Sequence, residues 1–189
     1  MYKTCKTARS SERQKFIGDV LIQMMKTHRL DHISISELCI QAQIPRKTFY
    51  RYFDTQEDVL AYLFERSTQE YRKFCLEKTP AGLPSGEKML ENFLIFWSSR
   101  TDFLEAICHN GMVAVLVDYL IRTSIHDSEF LDCLNPDADP QFIHDTITFW
   151  VSGITSFLIQ NHQHTDLRSP EEITKIILRI FSCPLLATP

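Results

Sequence analysis

Residues 34–53 read SISELCIQAQIPRKTFYRYF, and this stretch decides the fold of the chain. Ser34 and Glu37 have the spacing of a capping box, in which each side chain accepts a backbone N–H at the start of a helix. The apolar residues that follow keep the i, i+3, i+4, i+7 spacing of one helical face; they are Ile35, Leu38, Cys39 and Ala42. The stretch therefore predicts a short helix that begins just after Ser34.

A second helix is predicted to begin at Pro45, because proline lacks the N–H that would be unpaired in a first turn. Phe49 and Phe53 are four residues apart and are expected to point into a core. The other side chains are predicted to project outward or sideways: Arg46, Lys47, Thr48, Tyr50, Arg51 and Tyr52. Such a helix suits the major groove of DNA, where Arg and Lys contact guanine and Thr contacts a thymine methyl or a phosphate. An ordinary solvated surface is the alternative.

The charge of the chain is divided unevenly along its length. Residues 1–53 hold ten of the 20 Lys and Arg residues but only four of the 24 Asp and Glu residues, so their net charge is +6 and that of the remainder is −10. This asymmetry favours a polyanion as the partner of the first part. Lys3, Lys6 and Arg9 form a short basic arm that either follows a phosphate backbone or is an ordinary loose terminus.

Composition narrows the class of protein. Hydrophobic residues make up 44% of the chain and there are only five glycines, which favours an all-α fold. No signal peptide and no apolar run near the roughly 20 residues of a membrane span is visible, so we expect a cytoplasmic protein with no membrane partner. The six cysteines contain no CxxC pair, and His162 and His164 do not share one helical face, so neither a metal site nor a cofactor is predicted.

Apolar spacing outside residues 34–53 predicts further helices. Their expected ranges are about 11–27, 55–77, 85–97, 102–109, 112–125, 140–161 and 170–181. A linker is predicted at 79–86 and a turn-rich connection at 135–140.

The sequence TFYRYF at residues 48–53, followed by QEDVL at 56–60, resembles the TetR/AcrR family of bacterial transcriptional regulators. The resemblance covers about residues 10–64. It departs from the family pattern at Gln43, where glycine is usual, at Pro45, where serine is usual, and at Gln56, where lysine is usual. A non-glycine residue at the turn must tolerate a positive φ, at a cost of about 1 kcal/mol.

This resemblance implies an all-α fold with two parts. Residues 1–54 would form the helix-turn-helix DNA-binding domain, and residues 55–189 a helical domain for effector binding and dimerisation. The DNA contacts implied are Ser34, Ser36, Arg46, Lys47, Thr48, Tyr50, Arg51, Tyr52 and Gln56.

Two sets of residues in the second part are candidates for its functions. An aromatic-rich set is the candidate effector pocket: Phe93, Phe96, Trp97, Phe103, Cys108, His109, Met112, Leu116, Tyr119 and Phe149. Apolar stripes on two helices are the candidate dimer interface: Ile143, Ile147, Trp150, Ile154, Phe157, Leu158, Ile173, Ile177 and Ile180. A plain intramolecular core would show the same patterns.

The function expected is that of a ligand-responsive transcriptional regulator, a repressor, which binds a palindromic DNA operator as a homodimer. The alternative is a regulator or co-activator of similar fold that is controlled by a protein partner. No paired carboxylates, catalytic triad order or phosphate-binding loop is present in the sequence, so we do not expect an enzyme.

Overall fold

The computed structural model describes residues 2–5, 7–78, 85–126, 139–164 and 167–182, without the side chain of Phe181. All regular structure in these ranges is helical, as predicted. The helices are α1 (Ala8–Met25), α2 (Ile35–Gln41), α3 (Arg46–Phe49), α4 (Gln56–Lys78), α5 (Gly86–Ser98), α6 (Thr101–His109), α7 (Val113–Ile125), α8 (Pro140–Gln163) and α9 (Pro170–Ser182), with a 3₁₀ turn at Leu30–His32. The predicted linker at 79–86 and connection at 135–140 lie largely outside the described residues.

Packing divides the chain into two compact units. The first contains Met1–Glu70 and Asp102–Leu116, and the second contains Tyr71–Thr101 and Val117–Pro189. The first unit therefore joins the helix-turn-helix to α6, a helix that lies far along the sequence. The boundary predicted between residues 54 and 55 is a functional one and stays a prediction.

The core of the first unit is built from the apolar faces of α1, α2 and α4 around α3. Leu21 of α1, Leu38 of α2 and Phe49 of α3 are each fully buried. Gly18 allows α1 and α4 to pack closely, because a Cβ atom at this position would lie 2.9 Å from Cδ2 of Leu63. These contacts hold the short α3, which could not form as an isolated helix of four residues.

An ion-pair cluster joins α6 to α1 within the first unit. The Lys26 ammonium lies 2.7 Å from Asp102 and 3.0 Å from Glu105, and Gln23 donates to Asp102 over 2.8 Å. Hydrogen bonds from Lys26 and Gln23 lower the pKa of Asp102. Hydrogen bonds to Asp102 and Glu105 in turn raise the pKa of Lys26. Because these side chains are partly exposed, the ion pairs should contribute only modestly to the stability of the first unit.

Asn110 makes a second, buried connection in the first unit. Its side chain is polar yet the residue is only 8% exposed. The Oδ1 atom accepts the Leu30 N–H over 2.6 Å, and Nδ2 donates to the carbonyl oxygens of Met25 and Ala106, both over 2.8 Å. One amide thus links the ends of α1 and α6 to the 3₁₀ turn that leads into α2.

The second unit is organised around α5, against which both α8 and α9 pack. An aromatic cluster forms where α5 meets the end of α4. Its ring centroids are 5.3–6.1 Å apart, in edge-on and tilted arrangements; the members are Tyr71, Phe74, Phe93, Phe96 and Trp97. The Arg100 guanidinium lies 4.5 Å from the centroid of Phe96 and covers one side of the cluster.

Candidate nucleic-acid interface and effector body

The predicted capping box at Ser34 is present in the structure. The Ser34 hydroxyl oxygen accepts the Glu37 N–H over 3.2 Å, and a Glu37 carboxylate oxygen accepts the Ser34 N–H over 2.8 Å. That backbone hydrogen bond lowers the pKa of Glu37. The Ser34 side chain therefore caps the start of α2, while Ser36, two residues further on, is half-buried.

The turn between α2 and α3 places Gln43 in a backbone conformation that is strained for a residue other than glycine. Its φ is 51°, the left-handed conformation in which glycine is preferred. The Ile44 N–H bonds back to the Cys39 carbonyl oxygen over 3.0 Å, which closes the end of α2. Pro45, with φ of −64°, then starts α3 as predicted.

The outward face of α3 and the turn after it carries the cationic side chains. Arg46, Lys47, Tyr50 and Arg51 are exposed and Thr48 is half-buried. The Arg46 guanidinium donates to the Tyr50 hydroxyl over 3.2 Å and lies 5.9 Å from the centre of its ring. Phe49 and Phe53 are fully buried beneath, so the amphipathic pattern read from the sequence is the one observed.

Two side chains expected to face DNA do not project outward. Tyr52 is only 7% exposed, because α3 ends at Phe49 and the following turn directs this ring into the core. The side chain of Gln56 donates to the Ile33 carbonyl oxygen. It ties the start of α4 to the residue before α2. The predicted outward projection of Tyr52 is wrong, and Gln56 has a structural partner.

An open groove of about 410 Å³ lies beside the exposed Arg46. Its lining is Ser36, Cys39, Ile40, Gln43, Ile44, Pro45 and Arg46. Ile40 is 75% exposed on the outer face of α2. Sequence reasoning missed Ile40. The signal was its spacing, because Ile40 lies outside the i, i+3, i+4, i+7 series that forms the buried face of α2.

The candidate effector residues are divided between the two units, five in each. In the second unit, Phe93, Phe96 and Trp97 come together in the aromatic cluster, and Tyr119 lies half-buried on α7. Phe149 is 65% exposed on α8, which is not the position of a wall residue in an enclosed pocket of a single chain.

In the first unit, Phe103 and Leu116 are buried, while Cys108 and Met112 are half-buried. Phe103 packs edge-on against Phe64 with centroids 6.0 Å apart. His109, the polar residue expected in the pocket, is exposed at the end of α6. The next residue, Asn110, is a buried polar residue that sequence reasoning missed, because Leu30 and Met25, two of its partners, lie 80 and 85 residues away.

Among the described residues of the second unit, four buried side-chain oxygen atoms lack a hydrogen-bond partner; they belong to Asn92, Ser98, Thr148 and Thr155. The two least exposed of these residues are Asn92 on α5 and Thr155 on α8, each 1% exposed. Buried polar atoms are nearly always paired in folded proteins, so such exceptions call for an explanation. Neither residue was identified from the sequence.

The candidate dimer residues divide by exposure. Ile147, Leu158, Ile173 and Ile177 are buried within the chain, which is the intramolecular alternative. Others on α8 are half-buried: Ile143, Trp150, Ile154 and Phe157. Ile180 is 47% exposed. The stripes predicted for an interface thus serve partly as the core of the second unit.

A different face of α8 exposes two large aromatic rings on either side of the exposed Asp145. Phe142 and Phe149 are 64% and 65% exposed and lie seven residues apart on one side, with Gly153 and Ser156 continuing the same row. A Cβ atom at Gly153 would meet nothing within 4 Å, so no contact within the chain requires glycine there. Glycine within a helix costs about 1 kcal/mol relative to alanine.

Length and composition alone make α8 a candidate membrane span. It has 24 residues, and the most apolar window of 18 has a mean hydropathy of 1.3 with 22% of its residues buried. The expectation that no stretch approaches this length is therefore wrong for α8. One such helix is weak support for a membrane, because helices that pack against protein pass the same test.

The all-helical fold is similar to that of solved structures that include a TetR-type regulator. Among solved structures, Lin0861 from Listeria innocua matches with a TM-score of 0.74 at 18% identity, over 95% of this chain and 94% of that one. A Syntrophomonas wolfei protein assigned to the TetR family of transcriptional regulators matches with a TM-score of 0.65 at 15% identity, over 95% and 99% of the two chains. The resemblance seen in the sequence is thereby confirmed for the fold.

One curated relative matches over a short region. It is the transcriptional activator DhaS of the dhaKLM operon from Lactococcus lactis, 37% identical over 57 residues. The match spans 30% of the length of this chain and 30% of that of DhaS. No protein-family profile matches the chain.

Proposed function

We propose that this chain is a transcriptional regulator of the TetR type and not an enzyme. It acts in the cytoplasm and binds a palindromic operator in double-stranded DNA as a homodimer. The observation that carries the proposal is the exposed cationic row of Arg46, Lys47 and Arg51 above the buried Phe49 and Phe53. A helix that reads DNA, here called the reading helix, needs buried residues that fix it to the protein core and exposed charged residues that contact the DNA.

In this proposal α3 enters the major groove with its first residues toward the bases. Arg46 and Lys47 then read guanine, and Thr48 approaches a thymine methyl or a phosphate. Tyr50 and Ser36 contact phosphates, which set the register of the helix but do not read sequence. The hydrogen bond from Arg46 to the Tyr50 hydroxyl restricts the rotation of the guanidinium before DNA binds.

The homodimer is supported by the exposed face of α8. Phe142 and Phe149 expose large apolar rings, and Gly153 and Ser156 allow a second helix to approach closely along the same row. We infer that the occupant is a second copy of this chain, because one copy supplies only one reading helix. A palindromic operator needs two such helices, about 34 Å apart along the DNA.

Control by a small molecule is supported by two features of different units. In the second unit, the unpaired oxygens of Asn92 and Thr155 suit an effector that is largely apolar and carries hydrogen-bond donors. In the first unit, α6 is fastened to α1 through Asn110 and Lys26. Along the sequence, the residues just before Asp102 and just after Leu116 belong to the second unit. An effector acts only through its different affinity for the two states.

The sign of regulation has two candidates. Repression is the outcome expected from the family resemblance. Activation is favoured by DhaS, whose name describes an operon activator. A regulator of this second kind is also compatible with a protein partner in place of a small effector.

The experiment that tests the proposal is selection from a random duplex DNA library. The purified wild-type chain and the Arg46→Ala/Lys47→Ala double variant are taken through the same rounds at low salt. We expect a palindromic consensus with the wild type and none with the double variant. No enrichment by the wild type, or an identical consensus from both proteins, contradicts the proposal.

A further inference from the structure

We propose that residues 2–5 form a strap that positions the reading helix, with Lys3 as its positioning residue. This inference rests on the proposed function of α3 in reading DNA. It differs from the sequence-based expectation of a basic arm that follows phosphates or hangs loose. In the structure, the Lys3 side chain is partly exposed, but its ammonium group is hydrogen-bonded to the segment that follows α3.

Lys3 makes three hydrogen bonds to the segment that follows α3. Its backbone N–H donates to the Tyr52 carbonyl oxygen over 2.9 Å. Its ammonium group donates to the Tyr50 carbonyl oxygen over 2.7 Å and to the Asp54 carboxylate over 2.8 Å. The last carbonyl groups of a helix have no partner within it, and a lysine is well suited to satisfy them.

A buried glutamine holds the strap against α1. Gln14 is only 4% exposed, and both ends of its amide are used by the strap. Its Nε2 atom donates to the Lys3 carbonyl oxygen over 3.0 Å, and its Oε1 atom accepts the Cys5 thiol over 3.2 Å. Leaving such a buried amide unpaired is costly, so these hydrogen bonds fix the strap in place.

Tyr2 extends the attachment to α4. Its hydroxyl donates to Glu65, and its ring lies edge-on to Tyr62 with centroids 5.3 Å apart. Tyr62 in turn lies 5.7 Å from Phe53, which anchors the reading helix. The strap therefore contacts the same core from which α3 projects.

The route from Lys3 to the bases runs through Tyr50. The Lys3 ammonium fixes the backbone of Tyr50, and the hydroxyl of Tyr50 accepts a hydrogen bond from Arg46. The charge of Lys3 is paired with Asp54. Lys3 thus acts on base reading through two other residues and makes no phosphate contact of its own.

The test compares Lys3→Met with Asp54→Asn on the operator that the wild type selects. Affinity is measured by fluorescence anisotropy from low to physiological salt, and circular dichroism shows that each variant is folded. For Lys3→Met we expect an affinity loss of roughly fivefold, the scale of one typical hydrogen bond between partly exposed groups. The slope of log affinity against log salt should not change.

The salt slope separates positioning from a phosphate contact. Loss of one phosphate contact makes the slope shallower by about 0.9, and that result for Lys3→Met would overturn the proposal. Unchanged affinity in Lys3→Met would overturn it as well. Asp54→Asn supplies the matched control. If Lys3 positions the reading helix, Asp54→Asn should bind DNA more weakly, although a negative charge is removed. If the substitution instead frees Lys3 to contact a phosphate, Asp54→Asn should bind DNA more tightly.

A double-variant cycle tests the route through Arg46. The effects of Lys3→Met and Arg46→Ala should overlap, so the double variant should lose less affinity than the product of the two single losses. Fully independent losses would contradict the route. If the wild type selects no DNA, the proposed function has failed. If the wild type binds DNA and Lys3→Met binds with the same affinity, only the proposed role of the strap has failed.

Discussion

The aromatic anchors beneath the reading helix, in the first unit, are fully buried within the chain, whereas the second unit leaves two large aromatic rings of α8 exposed. In the first, the aromatic anchors of α3 are fully buried, and the polar side chain of Asn110 has partners for both ends of its amide. In the second, Phe142 and Phe149 are exposed on α8. Asn92 and Thr155 each bury an oxygen without a partner in the described part of the chain. This contrast indicates a firmly packed base beneath the reading helix and, in the second unit, an exposed helix face that is available for binding.

The largest difference is expected for one substitution made in both units. Phe49→Ala removes a fully buried ring and should lower the free energy of unfolding by about 3–5 kcal/mol. Phe149→Ala removes a ring that is 65% exposed and should change the stability of a dilute monomer by less than about 1 kcal/mol. Urea unfolding followed by circular dichroism checks both, and equal losses would remove the contrast between the units.

Buried polar groups give the next largest contrast. Asn110→Ala leaves the Leu30 N–H and the Met25 carbonyl unpaired and should destabilise the chain by about 2–3 kcal/mol. Thr155→Val replaces a hydroxyl without a partner by a methyl group and should be neutral, or stabilising by about 1 kcal/mol. Thermal denaturation without added ligands measures both. A clear loss of stability in Thr155→Val would show that its hydroxyl has a structural partner.

Two helical glycines should respond in opposite directions. Gly18→Ala places a Cβ atom 2.9 Å from the side chain of Leu63 and should destabilise the first unit. Gly153→Ala meets nothing within 4 Å and should raise the stability of the monomer by about 0.5–1 kcal/mol through helix propensity. The same Gly153→Ala should weaken self-association if a second helix packs closely there. Melting curves over a range of protein concentrations separate the two effects.

The smallest effect is expected from pH. Hydrogen bonds from Lys26 and Gln23 lower the pKa of Asp102, with Glu105 also facing the ammonium. A lowered pKa in the folded chain means that the stabilisation is present above the ordinary pKa of aspartate and is lost as the pH falls through the lowered value. The melting temperature of the wild type should therefore converge on that of Asp102→Asn in acid. A constant difference between them at all pH values would contradict this assignment.

Local signals in the sequence were enough to predict the helix-turn-helix. The Ser34–Glu37 capping box, Pro45 and the pair Phe49 and Phe53 act on neighbours within four residues, so their spacing can be read directly. The helices from α5 to α9 were also predicted to within about two residues, because their apolar periodicity is strong. Tyr52 was misjudged because α3 ends a turn earlier than the amphipathic pattern implies.

Contacts between distant residues could not be read from the sequence. Leu30 and Met25 lie 80 and 85 residues from Asn110, and Asp54 lies 51 residues from Lys3. Nothing in the sequence pattern near Asn110 or Lys3 indicates these partners. The apolar stripes of α8 and α9 were recognised, but periodicity cannot say whether a stripe packs inside the chain or against another copy. Ile173 and Ile177 are buried within the single chain, so these two residues of the α9 stripe pack inside it.

The most direct test of the account is the mass of the chain in solution, measured by sedimentation equilibrium. We expect the wild type at about twice its monomer mass of 22.1 kDa, and a Phe142→Glu/Phe149→Glu variant at 22.1 kDa with unchanged helical circular dichroism. That pair of results would show that the exposed helix face of the second unit is covered by a second copy. A monomeric wild type, or a variant that stays dimeric, would contradict the account.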